Sequence, residues 1–230
     1  MSTLAEQVVE QLKTDMDNVY DAGYQKGKSE GGGKDYLQYA IQPIFAPSFF
    51  DDVGEESLTF TFLYTTSLFR LFQGVQNSTV KHITVNAKQT ITNIGQLLYG
   101  VLDTTLERLT INFDTSKVTS VAYFVYNRRA LRVIDGLPLD FSSATSLDYM
   151  FDNLHALEEI RFVPNTIHAN FKLDMSPLLS DASIQSIVEG FADMTGQNAI
   201  VLKVHADVKA KIEANPTLLA MLTSKNVTLA

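Results

Sequence analysis

The 230-residue chain contains no cysteine, which excludes a disulfide framework, a thiolate metal site and a cysteine nucleophile. Positive charge is scarce as well. Eighteen Lys and Arg stand against 26 Asp and Glu, for a formal charge of -8 and a pI near 4.9. No basic cluster exists to neutralise phosphates, so a nucleic-acid surface is not expected; Lys26 and Lys28 come nearest and are flanked by acids. No apolar run approaches the roughly 20 residues that span a bilayer, so membrane insertion is not expected. Ser2 to Asn18 carries Glu6, Glu10, Asp15 and Asp17 where a signal peptide needs an apolar stretch. The expectation is a product made in a cytoplasm.

Motifs that carry chemistry are also missing. There is no Gly-x-Ser-x-Gly elbow and no His-Glu-x-x-His. His82, His155, His168 and His205 include no pair at helical metal-ligand spacing. Gly27-Lys28-Ser29 lacks the earlier glycine of a phosphate-binding loop, since Ala22 stands there. Asp51, Asp52, Glu55 and Glu56 around Gly54 lack the spacing of a calcium loop and read as a solvated acidic turn. Glu158 and Glu159 are adjacent and face opposite sides of a strand. The sequons at Asn77 and Asn226 carry no weight without a secretory leader. The chain is therefore expected to hold no catalytic, cofactor or metal residue.

What is present is an internal repeat. Blocks starting at Leu68, Ile94, Val121 and Leu147 are separated by 26, 27 and 26 residues, within the range of solenoid repeats. Three residues on come Leu71, Leu97, Phe124 and Met150, then Phe72, Leu98, Val125 and Phe151. A second apolar pair follows, three apart each time: Val80 and Ile83, Leu106 and Leu109, Leu131 and Ile134, Leu157 and Ile160. Start, start+3 and start+4 mark one face of a short helix, and the later pair suits a strand. Such a unit cannot bury its apolar side alone, so it must stack on its copies. Leu71, Phe72, Leu97, Leu98, Phe124, Met150, Phe151, Leu157 and Ile160 are the expected repeat core.

The regions around the repeat differ in composition. Residues 1–28 read as a helix capped by Ser2 or Thr3, with Ala5, Val9, Leu12, Met16, Val19 and Gly23 alternating steps of four and three, the seam of a coiled coil. So thin a stripe needs a partner, so Val9, Leu12, Met16, Val19 and Gly23 are expected oligomerisation positions. Residues 29–35 form a Gly-rich linker. Residues 36–66, with Tyr36, Tyr39, Phe45, Phe49 and Phe50 and a strand over 58–62, suit an N-terminal cap to a solenoid over 67–178. Residues 179–230 suit a C-terminal cap: a helix capped by Ser180 or Asp181 and ending near Gly196, a strand over 199–204, helical turns broken at Pro216, and a short strand over 227–229.

The blocks 119–134 and 145–160, with 139–144 between them and above all Met150-Phe-Asp-Asn153 followed by Leu157 and Ile160, resemble the BspA-like leucine-rich repeat. The resemblance spans about 58–162. Residues 179–230 look like the closing segment, and the stretch 20–31 like the leader, of such proteins in phages of Gram-positive gut bacteria. The resemblance implies an α/β repeat, a short leucine-rich-repeat-like solenoid with atypical caps preceded by a coiled-coil helix. It further implies a non-enzymatic virion protein of a tail, baseplate or fibre-like appendage, whose partners are other virion proteins, further copies of itself and a host-surface protein or glycan. The array is short for the family, and no aromatic cluster stands out in the middle repeats. The alternatives are a bacterial surface adhesin or interaction module of the same repeat class, and a glycan hydrolase with paired carboxylates on a concave face.

Overall fold

In β2, Ser57–Phe62, apolar Leu58, Phe60 and Phe62 alternate with Thr59 and Thr61; this period of two puts one set into the core and the other outside. The same alternation builds β3, His82–Ala87, around Ile83 and Val85 and β4, Arg108–Asn112, around Leu109 and Ile111. A computed structural model of the chain describes the backbone of 34–38 together with residues 56–72, 79–99 and 105–230. The expected coiled-coil helix, with Val9, Leu12, Met16, Val19 and Gly23, lies outside the described residues, as do 39–55 of the expected N-terminal cap.

Five strands form one parallel sheet in sequential order: β1 (Lys34–Gln38), β2, β3, β4 and β5 (Val133–Gly136). The register joins Lys34 to Leu58, Ser57 to His82, His82 to Arg108 and Arg108 to Val133. A single bridge from Val133 to Glu159 extends the series by one step. Lys34 and Asp35, expected in the linker, belong instead to β1, whose backbone groups are satisfied by those of β2.

The short helices expected at the block starts do not form. Segments 68–72, 94–99, 121–126 and 147–153 are chains of turns, and a second set of backbone bonds runs between them. Leu68, Arg70 and Phe72 donate to the carbonyls of Asn93, Gly95 and Leu97, and Ile94, Gln96 and Leu98 donate to those of Ser120, Ala122 and Phe124. Every second amide thus reaches the next block rather than its own turn, which is incompatible with an α-helix. The third residue of each segment, Arg70, Gln96, Tyr123 and Tyr149, holds φ near +57° (57, 55, 58 and 56°), a left-handed kink that redirects the amides outward. Polar side chains launch these segments: Ser67 Oγ, Asn93 Oδ1 and Ser146 Oγ accept from the amides of Phe69, Gly95 and Asp148, the Asx and Ser/Thr turns such residues favour.

The nine expected core residues are all buried, as are the four block starts and the second apolar pairs. The core continues without a break into the C-terminal region. Edge-to-face phenylalanine contacts carry it, from Phe124 to Phe151, Phe151 to Phe171 and Phe171 to Phe191, at ring-centre distances of 6.3, 5.6 and 6.2 Å.

A second parallel sheet follows, ordered β6 (Phe171–Leu173), β7 (Ile200–Val204) and β8 (Val227–Leu229). Helix α1 (Asp181–Gly190) links the first two strands, and α2 (Ala206–Glu213) and α3 (Pro216–Ser224) link the last two. Ser180 caps α1, but the helix ends at Gly190 rather than near Gly196, because Gly190 O is taken by the amides of Thr166 and Ile167. Strand β6 falls within the span expected to belong to the repeat array. The serines of α1 replace a further strand at the end of the first array. Glu158 O accepts from Ser180 N and Ser183 Oγ, while Ser183 Oγ and Ser186 Oγ accept from Ile160 N and Phe162 N. Unpaired strand-edge groups are thereby closed.

Gly136 ends β5 at φ +91°, and a Cβ there would run into Ile111 O. Gly136→Ala should cost at least about 2 kcal/mol, combining left-handed strain with a backbone clash. Gly196→Ala, at φ +80° but in open space, should cost about 1 kcal/mol. Urea unfolding of both variants measures the difference; equal losses would contradict this packing.

Candidate functional site: a tyrosine face and the depression beside it

Four tyrosines from three successive blocks converge on one surface. Tyr99 meets Tyr123 edge-on at 6.5 Å, Tyr126 meets Tyr123 edge-on at 5.3 Å, and Tyr123 and Tyr149 lie parallel, 4° apart in plane and 5.2 Å between ring centres. The stack follows from register. Tyr123 and Tyr149 occupy the same left-handed position one block apart, and hydrogen-bonded parallel chains are spaced about 4.8 Å, close to the separation of stacked rings. Tyr99 and Tyr149 remain 40 % and 51 % exposed. Phe69, beneath the Arg70 guanidinium at 5.0 Å, lies in the block before these three. The expectation of no aromatic cluster in the middle repeats is therefore corrected: the rings sit at start+2 and start+5 of the repeat frame and meet only when blocks stack.

Beyond Tyr149 the surface dips into an open depression of about 420 Å³, lined by Leu147, Asp148, Tyr149, Asn170, Phe171, Lys172, Val201 and Lys203. Strands β6 and β7 supply its far wall. Asn170, itself exposed, accepts through Oδ1 from Val201 N at 2.9 Å. Lys172 Nζ lies 3.1 Å from Asp152 Oδ2 and 3.5 Å from Asp174 Oδ1, and Lys203 Nζ lies 3.1 Å from Asp174 Oδ2. Burial opposes the Lys172 ammonium, but the hydrogen bond and charge of Asp152, with Asp174 beside it, outweigh that cost and raise its pKa. A lysine raised above its unfolded value contributes stability that is complete below about pH 10 and is lost as pH rises through the folded value. Both lysines at this wall are committed to carboxylates, so the depression offers no spare cation for a phosphate.

The opposite, sheet-side surface is polar and self-satisfied. Asn112 Nδ2 donates to Asn86 Oδ1 and Asn86 Nδ2 to Thr61 Oγ1, at 3.0 and 3.1 Å. Thr110 Oγ1 donates to Asp135 Oδ1 at 2.6 Å, and Arg108 pairs with the same carboxylate. Lys81 with Glu56, and Arg132 with Glu158, make exposed pairs between adjacent blocks. Glu158, from the adjacent acid pair, is thereby engaged.

The histidines take separate places. His82 starts β3, with Nδ1 3.2 Å from Ser57 Oγ, and His205 caps α2 by accepting from Asp207 N. Among the described residues no group of three or more His, Cys, Asp or Glu is arranged to hold a metal ion, and no helix is long and apolar enough to cross a membrane. Asn226 of the second sequon has φ +57°, and its Nδ2 donates to Met194 O and Gln197 O, so the atom a glycan would occupy already closes a turn. Gly27-Lys28-Ser29 and Asn77 lie outside the described residues. Compared with protein families, curated proteins and solved structures, the chain has no significant match.

Lys172→Met should destabilise the fold by about 1–3 kcal/mol, because it strands the Asp152 carboxylate, 92 % buried, without its cation. Lys117→Met, on an exposed turn, should change stability by less than about 0.5 kcal/mol. Urea unfolding at neutral pH separates them.

Proposed function

We propose that this chain is a non-enzymatic binding protein of a phage particle, a tail, baseplate or fibre-like component. Residues 1–28 anchor it to further copies and to other virion proteins, and a short solenoid of the leucine-rich-repeat class presents the tyrosine face to a host-surface ligand. The observation that carries the binding role is that face. Stacked and edge-on tyrosines offer large contact area with little side-chain entropy left to lose, together with hydroxyls for hydrogen bonding, and here the rings of successive blocks already pack on one another. The virion setting rests on the BspA-like pattern at 119–134 and 145–160 and on the leader-like stretch at 20–31.

The anchoring role is tested on the full chain. Leu12→Asp with Val19→Asp should convert an oligomer to a monomer in light scattering while the thermal transition of the repeat region stays in place, because the seam charge is buried only in the assembly. A wild-type monomer, or absence of the chain from purified particles, would overturn the setting. For the binding face, Tyr99→Ser with Tyr123→Asn leaves the backbone unstrained, since asparagine tolerates the left-handed position. Adsorption of labelled full chain to Gram-positive gut bacteria, read by flow cytometry, should fall about tenfold or more.

A further inference from the structure

We infer that the depression beside Tyr149 is a subsite for one uncharged pyranose ring of a surface glycan. This inference rests on the proposed binding role and names its ligand class. Tyr123 covers one face of the Tyr149 ring, yet half of Tyr149 remains exposed. The depression that Tyr149 lines is completed by Phe171, Lys172, Val201 and Lys203 of the second sheet and by Asn170 just before β6, without Tyr123. It therefore lies on the side where the next ring of the stack would sit, after the chain itself has stopped supplying tyrosines.

The lining selects among flat ligands. A pyranose presents a face of C–H groups to an aromatic ring and a rim of hydroxyls to its surroundings, and ligand sites that combine an apolar platform with a few placed polar groups suit it. Those polar groups are present. Asn170 keeps its amide N–H pair for an acceptor while its oxygen holds Val201. Asp148 lines the depression and uses Oδ2 on Ser146, leaving Oδ1 as an acceptor. Lys203 is more than half exposed and held at one end by Asp174, so it can donate to a hydroxyl without bringing a free charge. A phosphorylated or sulfated ring would have to break the ion pairs of Lys172 or Lys203 to be neutralised, and the acidic chain repels it. An aromatic ligand would stack equally well but would leave Asp148 and Asn170 facing an apolar edge.

The test uses the full chain with cellotriose, maltotriose and chitotriose as uncharged probes and cytidine monophosphate as an anionic planar one. Binding is followed by saturation-transfer NMR and by tyrosine fluorescence, which no tryptophan obscures. At least one trisaccharide should bind saturably and more tightly than the nucleotide. Tyr149→Asn, which keeps the left-handed backbone, should weaken it about tenfold or more, whereas Tyr149→Phe should retain it within about threefold. A thermal melt checks that both variants fold. No saturable trisaccharide, tighter nucleotide binding, or affinity unchanged in Tyr149→Asn would each overturn the subsite. Bacterial adsorption that is lost with Tyr99 and Tyr123 but indifferent to Tyr149→Asn and to added sugar would sink the subsite and leave the tyrosine-face reading standing. Trisaccharide binding without adsorption would do the reverse.

Discussion

Everything in this protein depends on backbone hydrogen bonds made between blocks about 25 residues apart. No block has enough chain to satisfy its own strand or to cover its own leucines, so both needs are met by the neighbour. The two sets of bonds, one along β1 to β5 and one along the turn segments, lock the same register from two sides. Slipping one strand by a residue would turn Leu109 and Ile111 outward and would break the turn-side bonds at the same time. The consequence is a core that is continuous along the chain direction, with the Phe124, Phe151, Phe171 and Phe191 rings joining blocks to the second sheet.

An array of this kind has to be closed at its ends, and the C-terminal closure uses side chains rather than another strand. Ser183 and Ser186 of α1 supply hydroxyls to the backbone groups of Glu158, Ile160 and Phe162. Lys225 performs a related task further on. Its Nζ donates to Glu189 O, Phe191 O and Asn165 Oδ1, and burial lowers its pKa although Glu189 and Asp193 pull the other way. Beside the last block, β6 and β7 face Leu147, Asp148 and Tyr149, and the depression lies between them. The candidate site is thus a by-product of how the array terminates.

The surfaces of the blocks divide the work. On the sheet side, Thr61, Asn86 and Asn112 bond to one another, and Thr110 and Arg108 to Asp135, so these side chains are paired within the protein. On the turn side the left-handed position is filled by Arg70, Gln96, Tyr123 and Tyr149 in turn, a column that becomes aromatic toward the C-terminal end. The binding role we propose follows that gradient, with the exposed ring at the end nearest the second sheet.

The apolar frame was legible in the sequence, and so were Ser180 as a cap and the strands near 58–62, 199–204 and 227–229, because burial and capping leave local signatures: a period, a side-chain oxygen, a β-branched run. The spacing of the turn segments predicts helices because start, start+3 and start+4 are buried in either conformation; only the outward-pointing amides and the left-handed third residue distinguish them. The tyrosine cluster was present in the repeat frame, at start+2 and start+5, but exposed positions have no burial pattern to reveal them. By itself the sequence determined which residues go inside and how long each unit is, since hydrophobic periodicity is a property of neighbouring residues. Only the tertiary structure decided that β1 pairs with β2 and β6 with β7, that the amides reach across blocks, and that Tyr99, Tyr123, Tyr126 and Tyr149 share a surface. Those outcomes depend on contacts between residues some 24 to 31 positions apart, and stacking register alone brings them together.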